Sequence, residues 1–134
     1  MMKLYNIVPE IKSVLKSSKK MIGAKIISGF PAGNKPTKIE NVVISLGIER
    51  VDFEPAEIED STRTGQVSIY ADIYAPAKLK GDISYRVLCI LCDSLKDYNI
   101  ISISAQKMEY QKDIQAFVTK TVITFSDKFT FGGT

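Results

Sequence analysis

Apolar residues recur at helical spacing in two stretches of the 134-residue chain. In the first, Leu4, Ile7, Val8, Ile11, Val14 and Leu15 form one stripe, which predicts an amphipathic helix ending near Ser18. Asn6 is placed as its N-cap, and Pro9 falls in the first turn, where a missing N–H does little harm. Lys12, Lys16, Lys19 and Lys20 crowd toward its C-terminal end, where cations suit the helix dipole. In the second stretch, Ile83, Val87, Ile90, Leu91 and Leu95 share a face behind Asp82, a natural N-cap.

Elsewhere the period is two. In "QVSIYADIYAP", Val67, Ile69, Ala71 and Ile73 point one way and Ser68, Tyr70, Asp72 and Tyr74 the other, as in a half-buried strand that Pro76 ends. "NVVISLGIERVDFEP" also reads as a strand. Its apolar parity slips near Glu49–Arg50, which predicts a β-bulge or a break. "AKIISGF" is a third, short strand. "NIISISAQKMEYQKDIQAFVTKTVITFSD" reads as a closing hairpin with its turn near Gln111–Asp113. Its second arm is apolar on both faces, as expected of a central or doubly covered strand. "PAGNKPTKIEN" and "EPAEIEDSTRTG" are two long loops, and "KFTFGGT" is an exposed tail with two aromatic rings. The order α-β-β-β-α-β-β predicts one α+β domain over residues 1–126, with a mostly antiparallel sheet, both helices packed on it and a tail over 127–134.

Composition then removes whole classes of chemistry. The chain has no histidine, so Ser-His-Asp and Cys-His catalysis are out of reach and zinc sites improbable. Cys89 and Cys92 sit well inside an apolar helix, away from the helix N-terminus that would stabilise a thiolate. They read as small packing residues. Asp72 has only Tyr70 and Tyr74 beside it by parity, which makes no acid–base set. No Gly-rich phosphate motif occurs. The expectation is a non-enzymatic protein with no catalytic residues, no metal, no cofactor and no small-molecule substrate. No apolar run approaches the ~20 residues of a membrane span, and no secretory leader pattern opens the chain, so a reducing cytoplasm is expected and no membrane partner.

Charge is unevenly spread although the net is only +3. Residues 1–38 carry eight lysines against Glu10, whereas residues 39–66 carry seven acids against Arg50 and Arg63. Such blocks form complementary faces on neighbouring subunits or two ordinary solvated surfaces. Contact candidates follow. They are Phe30, Asn34, Lys35 and Lys38 in the first loop; Glu57, Glu59, Asp60 and Arg63 in the second; Tyr70, Asp72 and Tyr74 on the strand; and Phe129 and Phe131 in the tail. A single-stranded nucleic-acid platform would need basic charge beside the tyrosines; an aspartate lies there instead.

With this element order, the unit "VSIYADIYAPAKLKGDISYRVLCILCDSL" and the hairpin "IISISAQKMEYQKDIQAFVTKTVITF" resemble the tail terminator (tail completion) proteins of long-tailed bacteriophages and of phage-derived contractile particles such as R-type bacteriocins. The resemblance covers roughly residues 4–126. It implies a ring homo-oligomer, a hexamer, that caps the head-proximal end of a tail tube and ends tube polymerisation. Its partners would be the tube protein and a sheath, collar or head connector protein. It would reside in the bacterial host cytoplasm during assembly and then in the virion or tailocin. A head-closure protein or another virion interaction module, and a single-stranded nucleic-acid-binding domain, are the alternatives.

Overall fold

The structure is a computed structural model that describes residues 2–21, 23–29, 38–54, 62–79 and 82–130. Ile7–Ser17 form helix α1 and Asp82–Ser94 helix α2. The strands are β1 (Met2–Lys3), β2 (Lys25–Ile27), β3 (Val43–Phe53), β4 (Thr62–Pro76), β5 (Ile100–Ala105), β6 (Glu109–Gln111), β7 (Ala116–Thr119) and β8 (Thr121–Thr130). They make one sheet in the order β1-β8-β4-β3-β2, with β5 also on β8 and β7 on β4. All pairings are antiparallel except β1–β8 and β2–β3. The α+β class and the two-helix layer agree with the sequence pattern.

Strand β4 is the centre. Its odd residues Val67, Ile69, Ala71 and Ile73 are fully buried. They meet Ile44 and Leu46 of β3 and Ile123 and Phe125 of β8. Helix α1 lays Ile7, Ile11 and Leu15 on this face, and α2 adds Val87 and Leu91. Both helices therefore cover one face only, as their single apolar stripes require. Asn6 precedes α1 but makes no side-chain cap bond. Asp82 is the first helical residue rather than the cap, and it pairs with Arg86 one turn on at 3.3 Å.

The parity slip in β3 is a bulge: Ile48 opposes Ile69 and Arg50 opposes Ser68, leaving Glu49 unpaired. The bulge returns Val51 and Phe53 to the helix side, which is why the apolar parity changes along the strand.

Two features differ from the sequence reading. The closing hairpin is four strands. Strand β5 pairs with β8, while β6 and β7 form a shorter hairpin between them, turning at 112–115. One register carries β7 and β8 along β4, from Pro76↔Ala116 to Thr62↔Thr130, with a break at Lys120. Further, "KFTFGGT" does not begin an exposed tail. Lys128, Phe129 and Thr130 continue β8, and Phe129 is fully buried with its ring 5.6 Å from that of Phe53. The domain thus runs past residue 126, because these residues pair with β4 on one side and β1 on the other. Phe129 is withdrawn as a partner contact. Phe131 lies outside the described residues.

Candidate interaction face

The face of the sheet turned away from the helices carries the even residues of β4. Strict alternation puts Ser68, Tyr70, Asp72 and Tyr74 there, all half-buried. At one end, the Ser68 hydroxyl lies 2.8 Å from that of Thr124 on β8. At the other, Tyr74 packs on a second, smaller core of Ile39, Val43, Ile114, Ala116 and Val118. The Ile39 N–H donates to the Ile114 carbonyl at 2.9 Å, which pins this cover to the sheet.

Between these ends the ring of Tyr70 crosses the neighbouring strand over Gly47, its register partner on β3. A Cβ at Gly47 would coincide with the ring edge, so only glycine lets the phenol lie there. The hydroxyl end extends to the bend at Gly29.

Asp72 sits beside this ring. Ser45 is its partner on β3, and the register across the break sets Lys120 opposite it on the other side. Among the described residues, no hydrogen bond or ion pair reaches its carboxylate. Burial pushes the carboxyl above its ordinary value; Lys120 opposes that rise and Glu49 adds to it. Burial likewise raises the Tyr74 phenol, helped by Asp72 and Tyr70. Glu49, Tyr70, Asp72, Gln106, Lys120 and Val122 line an open hollow of about 340 Å³. Among the described residues its lining carries two acids, Glu49 and Asp72, and one cation, Lys120. This recess has the polarity to receive a positively charged side chain, and it holds no nucleophile–base pair.

Three of the sequence candidates meet here: Tyr70, Asp72 and Tyr74. Lys38 does not; it lies exposed at the Pro76 end of β4, beside Gln115. The backbone of Arg63 pairs with Phe129 at the far end of β4. Phe30, Asn34, Lys35, Glu57, Glu59 and Asp60 lie outside the described residues. Glu49, Gln106 and Lys120 belong to the recess but were not among the candidates. Lys120 is set there by the register of β7 and β8 on β4, which no local pattern gives, and Glu49 by the bulge in β3.

The thiols have separate surroundings. Cys92 is half-buried against the main core, and burial raises its pKa, with Cys89 adding to the rise. Cys89 is exposed and does not pack as expected. Among the described residues no group of three metal-ligating side chains occurs, and no helix is long and apolar enough to cross a membrane. Compared with protein-family models and with curated proteins, the chain matches none.

Proposed function

We propose that the chain is a non-enzymatic assembly protein. It forms a ring that caps the head-proximal end of a phage or tailocin tail tube, stops tube growth and joins the tube to a connector, sheath or collar. The observation that supports this reading is the Asp72 recess. Among the described residues no hydrogen bond or ion pair reaches this half-buried carboxylate, and perturbed groups of that kind cluster at functional sites, where a second molecule completes them. The resemblance of the sequence segments 67–95 and 100–125 to tail terminators favours another copy of this chain as that second molecule, with the tube beyond it. The acid pair Asp72 and Glu49 speaks against a nucleic-acid platform, since both repel phosphate.

The test is to mix purified protein with tail tubes and measure mass by light scattering and tube ends by electron microscopy. Ring-sized species and capped tubes of fixed length are expected. A protein that stays monomeric, alone and with tubes, overturns the reading.

A further inference from the structure

Strand β5 is exposed along nearly its whole length. Of Ile100–Ala105 only Ile100 is even half-covered, and Ile101 and Ile103 are 48% and 41% exposed. Its inner side is fixed to β8 by the ladder and by a clamp at each end. Gln106 donates its N–H to the Lys120 carbonyl at 2.8 Å. Ser126 donates its N–H to the Asn99 carbonyl, and the Asn99 amide donates to the Ser126 carbonyl at 2.9 Å. Among the described residues no strand pairs with its outer side.

Edge strands are normally blunted by lysine, proline or shortness. The other strands with one unpaired side among the described residues are shorter: β1 has two residues, and β2 and β6 have three each and carry Lys25 and Glu109. Strand β5, "IISISA", is six residues with no charge and no proline; its one irregularity is the register shift at Ile101.

The register on β8 sets the direction of its free backbone groups. Gln106 and Lys120 share the register of Ser102↔Thr124 and Ser104↔Val122. A ladder alternates bonded and non-bonded pairs, so Ser102 and Ser104 turn their N–H and C=O groups toward β8. Ile103 and Ala105 turn theirs outward.

We propose that β5 pairs, antiparallel, with β5 of a second copy, joining two sheets into one about a twofold axis centred on Ile103. In that register Ile103 faces itself, Ala105 faces Ile101 and Ser102 faces Ser104. At Ile103 the outward N–H meets the outward C=O of its own copy, the apolar side chains of Ile103, Ile101 and Ala105 meet apolar ones, and no charge lies within the paired strands. A second copy fits because the strand is its own complement. The contact is isologous, whereas a ring needs heterologous ones, so it uses a surface separate from the tube-capping contacts. Its small area makes it a weak pairing.

The test uses full-length protein over about 10 µM to 1 mM, by sedimentation velocity. Wild type should pass from monomer to dimer. Ile103→Lys and Ile103→Glu should each weaken dimerisation by roughly tenfold or more, because like charges would face each other. A mixture of the two in equal amounts should restore it. Thermal melts matching wild type confirm that both variants fold. Independently, amide exchange at Ile103 and Ala105 should slow as concentration rises while Ser102 and Ser104 stay unchanged. A wild type that stays monomeric, single variants that dimerise like wild type, a mixture that fails to pair, or exchange at Ile103 insensitive to concentration each overturns the pairing. A hexamer unaffected by these variants overturns the β5 contact and leaves the ring reading standing; a dimer that never caps tubes does the reverse.

Discussion

The ring of Tyr70 occupies the space that a side chain at Gly47 would fill. Gly65, also on the sheet, has a different neighbour: a Cβ there would run into the Asp52 carbonyl and the Phe53 backbone of β3. A side chain can swing aside, but a ladder strand cannot. Gly65→Ala should therefore cost roughly 1–3 kcal/mol in urea unfolding. Gly47→Ala should cost less and displace the phenol, visible as a shifted Tyr70 ring resonance. In a Tyr70→Ala background Gly47→Ala should become neutral or stabilising. Equal penalties at both glycines would show that the phenol is fixed in place.

Asp72 gives a pH signature. Its folded carboxyl holds its proton more tightly than the ordinary value of 3.8. The protonated form thus favours the fold below about pH 3.8, and that advantage is lost as pH rises through the folded value. Asp72→Asn should raise the melting temperature at pH 7, with the gain vanishing under acid conditions. If the recess is a subunit contact, the same variant should assemble less well although it is more stable. Loss of stability at pH 7 would mean that Lys120 outweighs burial.

Phe129 tests where the domain ends. Phe129→Ala should cost about 3–5 kcal/mol, as for other large core rings, and a chain stopped after Ser126 should not fold cooperatively. A melt unchanged by either would return these residues to the status of a tail.

The two cysteines should separate kinetically. Cys89 is exposed, whereas burial both shields Cys92 and disfavours its thiolate. At pH 7 a thiol reagent should modify one site quickly and the second only slowly. Two equally fast sites would place Cys92 at the surface.

Most of the local structure was legible in the sequence because each element buries one face. The stripe at Ile7, Ile11 and Leu15, the alternation from Val67 to Ile73 and the slip at Glu49 each encode a boundary between core and solvent. Strand order was less legible. Met2–Lys3 is too short to show a period, and its pairing with Phe129–Thr130 joins opposite ends of the described chain. The closing segment looked apolar on both faces because it serves two cores: Ala116 and Val118 fill the small one, Ile123 and Phe125 the large one. No local pattern announces that change. For the recess, the tyrosines and Asp72 followed from parity. Its walls did not, since Glu49, Gln106 and Lys120 come from three further segments that only the fold brings together.

The position of β8 also sets a timetable. It is the last described strand to leave the ribosome, yet it bonds to β4, β5 and β1. A nascent chain ending at Thr119 can form both helices and the β3–β4 ladder, but Val67 and Ile69 then lack the neighbours that seal them. Closure waits for contacts of the longest sequence separation, the slowest to form. The described fold therefore closes only once β8 has been made, and a copy cut short before Thr121 has no sealed core.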